Sequence, residues 1–250
     1  MKRKVFIFLS LLTFIGSIMF WLPPIKVASI NDNNPPVKDQ VLKDNQNKSE
    51  EKVQTINYAP FLYYENYDYI GSGNEFAGFK VVLQYPLNEE GIYQFRRDGS
   101  GTSIAFVYQL TPEGIIELSY FPETYDNTDF RDHPDTFDDS TSLIMPLELG
   151  VGDTFFSGYQ EEQEYEVINI LDDFTVNQVT YHDVLVLSLK QDTNDTTQYF
   201  YYAPQYGLIY DEFAFKDEFS MYITNELKSV QNKMYYPKLN LNNFLRSEFR

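Results

Sequence analysis

From about residue 58 onward, runs of aromatic and β-branched residues are punctuated by short polar turn sequences. Segments 79–85 (FKVVLQY), 92–97 (IYQFRR), 103–110 (SIAFVYQL) and 115–121 (IIELSYF) read as strands with one apolar face. The stretches between them, Asn88-Glu89-Glu90-Gly91, Asp98-Gly99-Ser100-Gly101 and Thr111-Pro112-Glu113-Gly114, are hairpin turns, since glycine supplies positive φ and proline presets φ. Further strands are predicted at 141–149, 153–156, 165–171, 174–178, 184–189, 198–202, 208–215 and 220–230. Strands at this spacing, joined by turns, indicate a mainly β fold: an antiparallel sheet forming an open barrel or a sandwich.

Two segments break the pattern. Residues 122–140 (PETYDNTDFRDHPDTFDDS) form a long acidic insertion of the kind that is either functional or disordered. Residues 31–56 are dominated by Asn, Asp, Lys and Gln, too poor in core residues to offset their ordering entropy. They read as a disordered stalk.

The N-terminus has a different texture. Lys2, Arg3 and Lys4 precede eighteen uncharged residues, 5–22, after which Pro23, Pro24 and Lys26 end the run. At ~1.5 Å per residue such a helix covers about 27 Å, close to the hydrocarbon thickness of a bilayer. The same pattern, with Val27-Ala28-Ser29 as a small-residue cleavage site, fits a secretory signal peptide. The division expected is therefore 1–30 signal anchor or signal peptide, 31–56 polar linker, 57–230 extracytoplasmic β domain preceded by the apolar helix, and 231–250 a mildly basic tail. The domain would be held at the cell membrane by the N-terminal segment, or secreted if that segment is cleaved.

Composition narrows the chemistry. The chain has no cysteine, so disulfides and thiolate metal sites are excluded. Its 21 Tyr and 21 Phe provide the core that an unstapled exported domain needs. The formal net charge is −18, and residues 1–54 hold eight of the 19 Lys/Arg against five of the 37 Asp/Glu, so the β domain is more acidic still. A field of that sign repels phosphate and argues against nucleic acid as a partner.

Catalytic signatures are sparse. Gly71-Ser72-Gly73 is not a dinucleotide fingerprint, because Phe76 stands where the third glycine belongs. Only two histidines exist, His133 and His182, and no serine lies in a nucleophile elbow. Glu117, Glu123, Glu148 and Glu166 are candidates for a glycosidase-type carboxylate pair, but an acidic chain makes such pairs by chance. Asp126, Asp129, Asp132 and Asp135, followed by Asp138 and Asp139, crowd one loop and suggest a weak Ca²⁺ site, although the spacing is not that of an EF-hand. No other cofactor is expected. Tyr63, Tyr64, Tyr67 and Tyr69, with Tyr58 and Phe61, form a row that either stacks on a ligand or is the amphipathic face of a first strand.

Three segments carry a resemblance: YIGSGNEFAGFKVVLQY with RRDGSGTSIAFVYQLTPEGIIELSYFPETY, MPLELGVGDTF at 145–155, and YYAPQYGLIYDEF at 201–213. They are similar to a group of exported proteins of low-GC Gram-positive bacteria, many of them lipoproteins, with a GxGNEFA segment, a PLxxG segment and a YYAxxxGL hairpin. That resemblance implies a β-rich extracytoplasmic domain and no known activity. The lipobox cysteine of the lipoprotein members is absent here.

The function expected is that of a non-enzymatic cell-envelope protein binding a ligand or partner, such as a cell-wall polymer or an envelope protein. The alternative is an apolar-ligand carrier with an open-barrel cavity, and third comes a carboxylate-based hydrolase.

Overall fold

The computed structural model describes residues 52–137, 140–190, 196–215 and 222–236. They form fourteen strands: β1 (Lys52–Gln54), β2 (Tyr64–Ser72), β3 (Gly78–Tyr85), β4 (Ile92–Asp98), β5 (Ser103–Thr111), β6 (Gly114–Pro122), β7 (Ser142–Pro146), β8 (Glu148–Gly150), β9 (Thr154–Ser157), β10 (Gln163–Val176), β11 (Val179–Lys190), β12 (Thr196–Ala203), β13 (Gly207–Phe215) and β14 (Tyr222–Lys233).

Twelve of them make one sheet in the order β7-β6-β5-β4-β3-β2-β14-β13-β12-β11-β10-β9. Every pair is antiparallel, and every neighbour is consecutive in sequence except β2 and β14. That one long-range pairing joins two meanders, so the sheet can curl until its edge strands β7 and β9 face each other. They meet through side chains: Ser142 Oγ lies 3.3 Å from Ser157 Oγ and accepts the Gly158 N–H at 2.8 Å. The result is a nearly closed antiparallel barrel, and β1 and β8 form a separate small ladder.

Register defines the two faces. Tyr93 pairs with Tyr108 and Phe95 with Phe106, and these rings turn inward with Tyr67, Tyr69, Val81 and Leu83. One end of the barrel is plugged by the chain before β2. A 3-10 turn, Thr55–Tyr58, leads to Pro60 and Phe61, and Phe61 inserts its ring among Tyr67, Tyr69 and Phe95 at 5.4, 6.3 and 4.8 Å. Hydroxyls fix the plug: Tyr63 donates to Ile56 O at 2.6 Å and Tyr93 to Pro60 O at 3.0 Å. The domain thus begins earlier than composition predicts. Thr55 and Ile56 are buried although they close a polar run, because their partners come from distant turns: Thr55 N–H donates to Leu147 O at 2.9 Å.

The expected N-terminal apolar helix, and with it the transmembrane helix and the membrane as a partner, require correction. Helical structure among the described residues consists of 3-10 turns at Thr55–Tyr58 and Pro134–Phe137, and no helix there is long and apolar enough to cross a membrane. Within the described residues, aromatic and β-branched runs build strands, and none continues as a long apolar helix. Residues 1–51, including 5–22 and most of the expected stalk, lie outside the described residues, as do 237–250 of the basic tail.

Candidate functional site

The four tyrosines expected to form an exposed row belong to the barrel wall and its plug. Tyr63, Tyr64, Tyr67 and Tyr69 are all buried. The Tyr67 hydroxyl accepts the N–H groups of Tyr63 and Tyr64, both at 3.0 Å, and Tyr69 donates to Leu208 O at 2.6 Å. Alternation on β2 turns Tyr67 and Tyr69 toward the core, which is the strand reading of the same pattern, whereas Tyr63 and Tyr64 are buried where the plug enters the strand, Tyr64 against Tyr206.

The acidic insertion is a strap across the outer face of β3–β6. Phe130 stacks on Phe121 at 4.0 Å over a cluster of Ile92, Val107 and Leu118, and His133 meets both rings edge-on. Beneath it the buried Gln94 accepts the Phe130 N–H at 2.7 Å and donates to Thr128 O at 2.8 Å. The carboxylates serve local turns. Asp126 accepts the Thr128 N–H and hydroxyl, which hold its pKa below the usual range, and Asp129 pairs with Arg131 at 2.8 Å. Asp132 and Asp135 are exposed. No group of three or more His, Cys, Asp or Glu among the described residues is placed to hold a metal ion, and Asp138 and Asp139 lie outside them.

The candidate carboxylate pairs do not converge on one cleft. Glu123 accepts from Tyr125 at 2.6 Å, Glu166 pairs with Lys190 at 3.6 Å, and Glu148 is exposed on β8. His182 contacts Asp173 on the exposed β10–β11 hairpin. Glu117 differs. It is buried at the barrel seam, where the Tyr159 hydroxyl donates to it at 2.6 Å, and burial pushes its pKa up to about 7 against the opposing pull of its Tyr159 and Tyr108 bonds.

The lumen contains a cavity of about 130 Å³. Its wall includes Phe61, Tyr108, Tyr165, Phe200, Tyr202 and Leu208. Tyr202 makes no side-chain hydrogen bond among the described residues, and burial pushes its pKa well up. Its residual exposure is to this cavity, because by register it faces inward beside Leu185 and Leu208. A larger open groove of about 420 Å³ lies beside the plug, bordered by Gln54, Tyr58, Asp183 and Pro204. The Tyr58 hydroxyl there donates to Asp183 O at 2.9 Å, and Gln54, Asn57 and Asp183 make the rim of this groove polar where the lumen is aromatic. The lumen combines apolar walls with an available hydroxyl, the usual make-up of a small-molecule site.

Sequence reasoning missed the lumen residues. Tyr108, Tyr165 and Tyr202 look like other strand aromatics, and only the register of distant strands brings them together. No family model and no curated protein matches the chain. A crystal structure of a Bacteroides fragilis protein described as exported, with a YmcC-like fold, aligns at TM-score 0.35 and 10% identity, covering 70% of this chain and 99% of that one. A likeness at that level carries no functional argument.

Proposed function

We propose that this protein is an extracytoplasmic ligand-binding barrel that takes a small apolar ligand, or the apolar end of a larger one, into its lumen. The observation that carries the reading is the aromatic-lined cavity of about 130 Å³ with the Tyr202 hydroxyl, which has no hydrogen-bond partner among the described residues, at its wall. An apolar cavity of roughly 150 Å³ is known to accept benzene, so this one suits a single ring or a short alkyl group. Whole drug-sized ligands need roughly 300–1,000 Å³, which points to insertion of one end of a longer molecule. Tyr202 supplies one directed hydrogen bond and the surrounding rings supply area. Support for export comes from the basic start, the apolar run at 5–22 and the small residues Val27-Ala28-Ser29.

Toluene and octanol are suitable neutral probes. A ligand that binds only the folded state raises the melting temperature by mass action. Saturating toluene or octanol should raise the melting temperature of the wild type, whereas Leu208→Phe, which fills the cavity, should respond to neither. Equal shifts in the two proteins would overturn the lumen assignment.

A further inference from the structure

Accessibility on the inner face of the barrel rises away from the plug. Tyr67, Tyr93 and Phe95 are at most 1% exposed. Toward the other end, Ile104, Phe106, Phe200 and Phe213 are half-buried, and Arg97 is exposed. Arg97 faces inward by register, since it pairs with Val81 on one side and Ile104 on the other. A charged side chain at such a position is unexpected in a wall of aromatic rings.

Its surroundings sharpen the point. The Arg97 guanidinium lies over the Phe79 ring, 3.9 Å from the centroid. It makes no hydrogen bond and no ion pair among the described residues. Arg96, on the outer face, is by contrast fully engaged with Asp98 and Asp126 O. The nearest acidic influence on Arg97 is Asp211, which shares the inner face through its pairing with Phe200. Asp211 does not close on the arginine. Its Oδ1 accepts from Asn225 Nδ2 at 2.8 Å, and Asn225 Oδ1 in turn accepts the Gly78 N–H at 2.7 Å. The guanidinium therefore keeps a planar fork of donors unengaged on the inner face of the barrel, the face that Phe106 and Phe200 share with the cavity wall. That fork matches a carboxylate in two-point geometry, and a guanidinium stays charged throughout the ordinary pH range.

We propose that Arg97 receives the carboxylate of an amphipathic acid, whose apolar body lies along Phe106 and Phe200 toward Tyr202. This inference rests on the lumen reading and adds the chemical class of the ligand. Asp211 opposes the bound anion, which gives the assignment a second handle: removing that charge should tighten binding.

Isothermal titration of the folded chain with octanoate, octanol and octylamine tests it, using wild type, Arg97→Met and Asp211→Asn. Octanoate should bind wild type about tenfold more tightly than octanol, as expected for a charge-assisted bond replacing a neutral one. Arg97→Met should abolish that preference by weakening octanoate far more than octanol, and an unchanged far-ultraviolet circular dichroism spectrum shows that the variant is folded. Asp211→Asn should widen the preference. Octanoate binding no more tightly than octanol in wild type, octylamine binding best, or the preference surviving in Arg97→Met would each overturn the assignment of Arg97 alone. Failure of octanol to bind at all, or octanol and octanoate binding unaffected by Leu208→Phe, would instead overturn the lumen reading and this inference with it.

Discussion

The phenol of Tyr159 donates to Glu117 at 2.6 Å across the side of the barrel where β7 and β9 share no backbone ladder. The seam is therefore held by side chains, and its central group titrates near neutrality. Glu117 ordinarily ionises near 4.5 and is raised to about 7 in the fold, with burial as the largest cause. A carboxyl raised in the folded state binds its proton more tightly there than in the unfolded chain. Its contribution to stability is full below about 4.5 and is lost as pH rises through 7. A shift of this size corresponds to roughly 3 kcal/mol. Urea denaturation of wild type and Glu117→Gln should show the wild type losing about that much relative to the variant between pH 4 and pH 8. A difference that does not change with pH would refute the perturbed ionisation.

Docking of the plug depends on a close backbone approach. Gly207 has φ of +74°, and a Cβ there would come within 2.9 Å of Ala59 O and 3.0 Å of Pro60 Cα. Neither neighbour is a flexible side-chain end. Gly207→Ala is expected to cost about 1–3 kcal/mol through conformational strain and contact with the plug. Chemical denaturation measures the cost, and limited proteolysis should cut first near residues 55–63 in the variant.

How much of this was legible in the sequence depends on the range of the interaction. Strands β3 to β6 are readable at nearly their observed bounds, because alternation and glycine turns are local signals. The break between the expected strands 165–171 and 174–178 does not exist. Asp172 and Asp173 resemble a turn, yet they continue β10 opposite β11. The tyrosine row illustrates a second limit. Alternation says that Tyr67 and Tyr69 share a face, but only pairing with β3 and β14 decides that the face is inner. Arg97 is the extreme case, since two adjacent arginines in RRDGSG look equally solvated until register separates them.

The strap accounts for the acidic insertion without a metal. Gln94 satisfies both Phe130 N and Thr128 O, so Gln94→Leu leaves two backbone groups without their buried partner. A loss of about 1–3 kcal/mol is expected, measurable by denaturant unfolding. Calcium chloride and sodium chloride at equal ionic strength should shift the melting temperature equally, in wild type and in a variant with Asp126, Asp129, Asp132 and Asp135 replaced by Asn. A calcium-specific rise that the variant lacks would restore the metal site.

Phe61 sets both the floor of the cavity and part of the stability of the plug. It has φ of +56°, a conformation uncommon for a bulky residue and costing about 1–3 kcal/mol. Burial of its ring offsets that cost, since Phe61 meets Tyr67, Tyr69 and Phe95 and also borders the lumen. Phe61→Ala removes the ring but leaves the backbone strain, so a loss of about 3–5 kcal/mol is expected from the cavity created. Phe61→Leu should lose less. The same truncation deepens the lumen on the plug side. Among straight-chain alcohols, Phe61→Leu should therefore shift the best-bound length upward relative to wild type, as read by titration calorimetry. If the preferred length stays the same while stability falls, the cavity closes by collapse of the plug, and Phe61 acts only as a packing residue.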